Sequence, residues 1–179
     1  DGLTALALAQ TTSPGIGGID VMYGDADSDT MFGGQAGDSI DAGEGNNIVV
    51  GDEGRIYYNL DANPSDIDLI ESTSTAQYGG ADTITTGGGS DLIIGGRSGD
   101  SITANAGNNL VIGDSGRITA SSANGQQLAG IPMTLGLVET ITFGDGGVDT
   151  IATLGGRDIV LGGHEGDTIG VGEGDNIVL

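Results

Sequence analysis

An all-β fold, a parallel β-solenoid, is predicted by three observations on this chain of 179 residues. Glycine supplies 37 of the residues, about three times its average share. The glycines return at a spacing of nine residues, and each nonapeptide carries Asp or Asn at its sixth position and an apolar residue at its eighth. A glycine-rich turn followed by one inward apolar residue is the signature of a solenoid coil.

Twelve nonapeptides form three blocks of four. The first block reads GIGGIDVMY, GDADSDTMF, GGQAGDSID and AGEGNNIVV, and the corresponding blocks begin at Gln77 and Gly144. The eighth position is apolar in all twelve copies, although apolar residues make up only 36% of the chain. This regularity argues against a glycine-rich linker.

The pattern divides the chain into six segments. They are a partial preceding unit or linking strand over 1–14, block 1 over 15–56, a connecting β segment over 57–76, block 2 over 77–118, a second connecting β segment over 119–143, and a truncated block 3 over 144–179. Both connecting segments open and close with β-prone runs, so we expect enlarged coils or β-excursions of the same stack. Block 3 stops before the GDxGRI sequence that ends the other two, which predicts units of a longer tandem array.

Composition excludes several classes of function. The net charge of −22, with four Arg and no Lys, repels nucleic acids and anionic membranes. The absence of Cys excludes disulfides, thiolate metal sites and a Cys nucleophile, and a single His cannot form the usual zinc site. No apolar run reaches the about 20 residues of a membrane span. We expect no nucleic-acid partner, no membrane insertion and, since no general base is present, no enzyme.

The nonapeptides resemble GGxGxDxUx, the calcium-binding repeat of the repeats-in-toxin (RTX) family, over about two-thirds of the chain. The resemblance implies a calcium-stabilised β-roll, in which two repeats make one coil and calcium lies between turns stacked on the same edge. Calcium takes about six to eight oxygen ligands, including carboxylates and backbone carbonyls. The competing interpretation, Asp that merely caps Asx turns, would leave stacked charges repelling one another.

The resemblance implies about six calcium sites or more, formed by sixth-position residues. The expected pairs are Asp20 with Asp38, Asp82 with Asp100 and Asp149 with Asp167 on one edge, and Asp29 with Asn47, Asp91 with Asn109 and Asp158 with Asn176 on the other. Sites that contain Asn should be weaker, because one negative charge is missing.

Several turns depart from the family pattern. Third repeats carry Ala36, Ser98 or Glu165 at the fourth position, so their turns are expected to be shaped differently. His164 is predicted to be a solvated turn residue. Arg55 and Arg117 recur in GDxGRI, where the guanidinium either replaces a cation above the last turn or is a plain surface group.

One outer face of the solenoid is predicted to be apolar. Side chains alternate along a strand, so the seventh and ninth residues point outward. In odd repeats these residues are mostly polar or small, whereas even repeats place apolar residues there, such as Leu92 and Ile94. An apolar face of this length exceeds what soluble monomers usually expose. We expect the connecting segments to cover part of it, and a neighbouring molecule is the alternative.

Three functions are compatible with these features. The first is an extracellular structural or adhesive rod, part of a filament or surface layer, with end-to-end self-association through open strand edges. The second is the calcium-triggered secretion and folding module of a toxin, protease or lipase exported by type I secretion, with the secretion signal outside this chain. The third is ice or glycan binding through Thr and Ser ladders.

Overall fold

The computed structural model describes residues 6–63, 65–73, 77–121 and 133–179. The remaining residues, which belong to the predicted N-terminal and connecting segments, lie outside the described part of the chain. In the described ranges the chain forms seventeen strands in three sheets. No helix in these ranges is long and apolar enough to cross a membrane.

Two six-stranded parallel sheets form the solenoid. The odd-repeat sheet contains β2 (Val21–Tyr23), β4 (Ser39–Asp41), β8 (Thr83–Thr86), β10 (Ser101–Ala104), β14 (Thr150–Thr153) and β16 (Thr168–Gly170). The even-repeat sheet contains β3 (Thr30–Phe32), β5 (Ile48–Val50), β9 (Leu92–Gly96), β11 (Leu110–Asp114), β15 (Ile159–Leu161) and β17 (Ile177–Val178). The chain alternates between the two sheets at every nonapeptide, as the prediction of a parallel β-roll requires.

The eighth-position residues form the core between these sheets. Ile40, Ile84, Ile102 and Ile151 from the odd-repeat sheet are buried with their counterparts from the even-repeat sheet. They stand in register, with Ile40 opposite Ile84 and Ile102 opposite Ile151. One apolar side chain per strand is therefore buried through the middle of the stack, while Met22, Met31 and Ile169 nearer its ends are partly buried and Val178 in the last strand is 46% exposed.

The register continues across the connecting segments. Strand β4 pairs directly with β8, and β10 pairs with β14, although a connecting segment intervenes in sequence each time. The even-repeat sheet continues in the same way from β5 to β9 and from β11 to β15. The three blocks therefore form one uninterrupted solenoid, with the connecting segments displaced to its side.

A third sheet, here called the cover sheet, is built by the N-terminal segment, the GDxGRI ends of blocks 1 and 2, and the connecting segments. It is antiparallel and contains β1 (Leu8–Gln10), β6 (Gly54–Tyr57), β7 (Leu69–Ser72), β12 (Gly116–Ala120) and β13 (Leu135–Thr140). Its registers align Ile56, Ile70, Ile118 and Val138 in one row. The segments are thus β-excursions that join one another in a separate sheet.

The cover sheet packs on the outer face of the even-repeat sheet. Ile56, Ile70 and Ile118 are buried in one cluster with outward residues of the even repeats, including Leu92 and Ile94. The prediction of intramolecular cover is therefore confirmed. The cover is partial, because Ile177 and Leu179 in the last even repeat are 53% and 76% exposed.

Charged residues alternate in sign across the outer face of the cover sheet. Arg55 lies opposite Glu71, which also lies opposite Arg117, and Arg117 lies opposite Glu139. The Arg55 Nε donates to Glu71 at 2.5 Å and the Arg117 Nε at 2.7 Å. The cover-sheet register pairs both arginines with Glu71, so each arginine side chain, 38% exposed in Arg55 and 41% in Arg117, is an ion-pair partner at the surface.

The odd-repeat sheet leaves a polar row in solvent. Ser39, Thr83, Ser101, Thr150 and Thr168 stand in register and are all exposed. The parallel outer row, two residues further along each strand, is interrupted: Asp41 and Thr85 are followed by Thr103, Ala152 and Gly170. The Thr and Ser ladder expected from the sequence is thus in register in both rows at Thr83, Thr85, Ser101 and Thr103, and its second row is not continued by the neighbouring strands.

We expect the double variant Leu92→Ser, Ile94→Ser to lose folding. Both side chains are 1% exposed beneath the cover sheet, and truncating a buried aliphatic side chain costs about 2–5 kcal/mol. Denaturant unfolding in saturating calcium measures the effect. The matched control on the uncovered sheet, Thr83→Ser with Thr85→Ser, should change the free energy of unfolding by less than about 0.5 kcal/mol. Normal folding of the Leu92, Ile94 variant would contradict the packing.

Glu71→Gln should lower the free energy of unfolding by about 1.5–3 kcal/mol, the range for hydrogen bonds to charged groups. Glu71 is 2% exposed and accepts hydrogen bonds from two guanidinium groups. The matched control is Glu139→Gln, because the Glu139 side chain is 38% exposed and lies 3.4 Å from Arg117. Its effect should stay below about 1 kcal/mol. Equal effects of the two substitutions would argue against the bridging role of Glu71.

Candidate metal centre

The turns of the solenoid stack along two edges, each with its own row of sixth-position residues. The row that precedes the odd-repeat strands, here called the Asp edge, consists of Asp20, Asp38, Asp82, Asp100, Asp149 and Asp167. The row that precedes the even-repeat strands, here called the Asn edge, consists of Asp29, Asn47, Asp91, Asn109, Asp158 and Asn176. Each row runs the length of the solenoid.

The rows are held by a repeated hydrogen bond. The backbone N–H of each sixth-position residue donates to the side-chain Oδ1 of its counterpart in the next turn, for example Asp82 to Asp100 at 2.8 Å and Asp91 to Asn109 at 3.1 Å. The same bond is present in every pair expected from the sequence. The structure brings all twelve nominated residues into these two rows.

The rows also cross the block boundaries, which the sequence pairing did not include. The N–H of Asp38 donates to Asp82 at 2.6 Å and that of Asp100 to Asp149 at 2.7 Å. On the Asn edge, Asn47 donates to Asp91 and Asn109 to Asp158, both at 2.9 Å. Each edge therefore has five gaps between neighbouring turns where the sequence counted three.

The second carboxylate oxygen is left without a partner. On the Asp edge, Oδ2 of Asp38, Asp82, Asp100 and Asp149 is buried and accepts no hydrogen bond. These residues are at most 3% exposed, and burial of an unpaired charged oxygen is costly unless a cation or donor compensates it. On the Asn edge, Oδ2 of Asp29 and of Asp91 is likewise buried and accepts no hydrogen bond.

Only glycine fits beside these oxygens. A β-carbon at Gly95 would lie 2.4 Å from Asp100 Oδ2 and 2.1 Å from the carbonyl oxygen of Gly113. A carboxylate oxygen and a carbonyl oxygen of the next turn therefore lie close together against the Gly95 backbone. Carboxylate and carbonyl oxygens are the ligands that Ca²⁺ prefers, so the donor set fits a calcium ion.

Burial without a cation changes the titration of the Asp edge. The pKa of Asp100 is raised to about 10, chiefly by desolvation, with contributions from the charges of Asp82, Asp149 and Asp52. Desolvation likewise raises the pKa of Asp82 and of Asp149 to about 7, with neighbouring carboxylates adding to the effect. These carboxylates therefore resist ionisation at neutral pH unless a positive charge lies beside them.

Asp52 and Asp114 join the turns around each connecting segment. Asp52 accepts hydrogen bonds from the N–H groups of Gly80, at 2.9 Å, and Arg97. Asp114 accepts them from Gly147, at 3.0 Å, and His164. Both carboxylate oxygens are thus occupied by backbone donors. The sequence signal for this role was the recurrence of Asp52 and Asp114 at the second position of GDxGRI.

An acidic group in the first connecting segment was also not anticipated. Asp61, Asp66 and Asp68 bring one carboxylate oxygen each to within 4.8 Å of one another. The Asp68 Oδ2 accepts a hydrogen bond from the N–H of Leu60 at 2.6 Å. The spacing in DANPSDID, inside a loop, was the available signal.

The third-repeat turns adopt a left-handed backbone at their fourth position. The φ angles are 77° at Ala36, 74° at Ser98 and 74° at Glu165, in a region that favours glycine. The His164 side chain is exposed, as predicted, and only its backbone N–H contacts Asp114.

A parallel β-solenoid with stacked carboxylates and carbonyls at its turns defines the class of calcium-binding repeat proteins. The family model for the RTX calcium-binding nonapeptide repeat matches residues 15–40, 23–55, 78–102, 85–117 and 143–178. These matches cover more than half of the chain, which therefore belongs to the RTX calcium-binding repeat family. No curated protein and no solved structure gives a significant match.

The calcium-free protein should gain β structure on acidification. The raised pKa values of Asp82, Asp100 and Asp149 mean that the folded state binds protons that the unfolded state, with an Asp pKa of about 3.9, does not. Stability therefore falls as pH rises through the folded pKa values. Circular dichroism in chelator from about pH 8 to about pH 5 measures this change. A loss of β signal over that range would contradict the buried, uncompensated carboxylates.

Proposed function

We propose that this chain is part of an extracellular structural or adhesive rod, in which calcium bound between stacked turns stiffens the solenoid. The observation that carries the proposal is the unbroken register across both connecting segments, with β4 on β8 and β10 on β14. Units that continue one another in this way can extend a rod without flexible joints. Secretion is supported by the family, since RTX repeats are typical of secreted proteins.

The sixth-position residues of both rows are the proposed calcium ligands. The support is the set of buried, unpaired Oδ2 atoms together with the net charge of −22. Cations between turns would neutralise carboxylates that otherwise repel along the stack. Binding free energy would then appear as folding free energy, as in other metal-dependent folds.

A structural role agrees with the chemistry of the described residues. The buried sixth-position groups are carboxylates and amides that face neighbouring turns, and the one His is exposed at a turn. The hydroxyls that donate to carboxylates, Ser115 to Asp145 at 3.0 Å and Thr153 to Asp158 at 2.7 Å, are buried together with their acceptors. Self-association through strand edges stays a prediction.

A calcium-triggered folding module of a secreted protein is the second candidate. The specific observation in its favour is the pKa of about 10 at Asp100 and about 8 at Asp52, raised chiefly by burial. Because these carboxylates are costly to bury in ionised form, folding at neutral pH would be unfavourable until calcium is abundant. The chain would therefore stay unfolded inside a cell. The rod and the folding module would bind calcium by the same chemistry, but only the rod has to resist mechanical force.

We expect circular dichroism in EGTA to report a largely disordered chain, and millimolar calcium to restore the β signal. Magnesium at the same concentration serves as the control, since Mg²⁺ is smaller and gives up its water reluctantly. A β spectrum that is insensitive to chelation would contradict calcium-dependent folding.

Single-molecule pulling distinguishes the rod from the folding module. A rod should resist extension in calcium and stretch as a random coil in EGTA, because the cations link successive turns. Low resistance in saturating calcium, with folding intact, would favour the module. Electron microscopy with and without calcium gives a second measure of stiffness.

A further inference from the structure

Two strands of the cover sheet carry the same sequence pattern. Strand β7 reads LIES, and β13 ends with LVET over residues 137–140. The third of these four residues is a Glu on the outer face, Glu71 in β7 and Glu139 in β13. The second residue, Ile70 or Val138, packs in the apolar cluster beneath the cover sheet. Strand β13 therefore repeats the pairing surface of β7.

Strand β7 has the same kind of partner at both of its edges. Its neighbours β6 and β12 both contain the Gly-Arg-Ile sequence of GDxGRI and are here called the GRI strands. Both are antiparallel to β7 and share one register, in which the Arg lies opposite Glu71 and the Ile opposite Ile70. A strand of the LIES type thus pairs with a GRI strand at each edge.

Strand β13 has a GRI strand at one edge only. There β12 uses the register that it uses on β7, with Arg117 opposite Glu139 and Ile118 opposite Val138. At the other edge no strand from the described ranges pairs with β13, which is the last strand of the cover sheet. The backbone N–H and C=O groups along such an edge are a template for a further strand.

The ion pairing of Glu139 reflects this difference. Glu71 accepts hydrogen bonds from two guanidinium groups and is 2% exposed. Among the described residues Glu139 has one such partner, Arg117 at 3.4 Å, and its side chain is 38% exposed. A basic side chain on the open side of Glu139 would continue the alternation of charge across the sheet and complete the arrangement seen at Glu71.

An uncovered apolar surface lies beside the same edge. The cover sheet and the even-repeat sheet run in the same order, because β6 follows β5 in the chain, β7 contacts β9, and β12 follows β11. The position beyond β13 therefore lies toward β17, the last strand of the even-repeat sheet. Outward residues there are exposed, Ile177 by 53% and Leu179 by 76%. An added strand with an apolar residue on its inner face would cover them.

We propose that the open edge of β13, together with Ile177 and Leu179, is a docking site for an extended segment of a partner protein, which pairs with it by β-augmentation. The fitting segment has the chemistry of a GRI strand, with a basic residue opposite Glu139 and a β-branched apolar residue opposite Val138. The net charge of −22 also favours a basic partner. The site adds a point of attachment to the proposed rod and is separate from the calcium chemistry of the turns.

A peptide of residues 54–60, GRIYYNL, is the probe, because β6 shows that this sequence pairs with a strand of the LIES type. Its binding to the full chain in saturating calcium is measured by fluorescence anisotropy at physiological ionic strength. We expect saturable binding of one peptide per chain. A scrambled peptide of the same composition controls for attraction by net charge and should not saturate. Equal binding of the two peptides would overturn the docking site.

A charge exchange identifies the edge that the peptide uses. Glu139→Lys should weaken binding by about three- to tenfold, because like charges then lie opposite each other across the strands. A peptide with Glu in place of its Arg should bind the Glu139→Lys chain more tightly than the native chain. Glu173→Lys, the same change of charge in an exposed turn, is the matched control and should leave the affinity unchanged. Equal effects of the two substitutions would contradict pairing at β13.

The apolar part of the site is tested separately. Ile177→Ser should weaken peptide binding by about threefold or more, whereas Ile19→Ser, at a side chain 78% exposed near the other end of the solenoid, should not. Circular dichroism in calcium verifies that each variant folds. If Glu139→Lys does not fold, the Ile177 and Ile19 variants and the scrambled peptide still decide the proposal.

A second copy of this chain is the competing occupant of the edge. Sedimentation velocity without peptide distinguishes it, and we expect a monomer. A dimer that Glu139→Lys disrupts, combined with no binding of the GRIYYNL peptide, would assign the edge to self-association and overturn the proposed partner.

Discussion

The hydrogen bond from the backbone N–H of one sixth-position residue to the side-chain oxygen of its counterpart in the next turn sets the geometry of the solenoid. It recurs at every step of both edges, between 2.6 and 3.1 Å. Because it uses only one oxygen of each carboxylate, it leaves the other oxygen buried and unpaired on the Asp edge. The demand for a cation follows from this bond, as does the need for glycine beside the unpaired oxygen.

The same stacking creates a second constraint, an apolar outer face. Even repeats such as LIIGG at β9 bury residues on both faces of the strand, as parallel strands covered on both sides do. The cover sheet meets this constraint by collecting strands from both connecting segments and from the N-terminal segment. The insertions that interrupt the nonapeptide pattern are therefore part of the packing of the solenoid.

Carboxylates have three distinct roles in this chain, set by their surroundings. Asp100 has an unpaired, buried oxygen beside glycine and suits a cation. Asp52 has both oxygens bonded to backbone N–H groups and joins turns. Glu71 is buried, which alone would raise its pKa, but hydrogen bonds from Arg117 and Arg55 hold that pKa below its usual range. Residue type alone does not separate these roles.

The sequence by itself determined the β-roll, the two rows of sixth-position residues, the inward eighth residue and the need to cover the even-repeat face. These features follow from the period of nine residues, because every nonapeptide repeats the same local pattern. Tertiary structure decided the partners between segments remote in sequence: the continuation of the rows from Asp38 to Asp82, the pairing of Arg55 and Arg117 with Glu71, and the bridging by Asp52. None of these follows from the period of nine residues, because each depends on where a connecting segment leaves the stack and where it returns. That path is fixed by burial of Ile56, Ile70 and Ile118 against the even-repeat sheet.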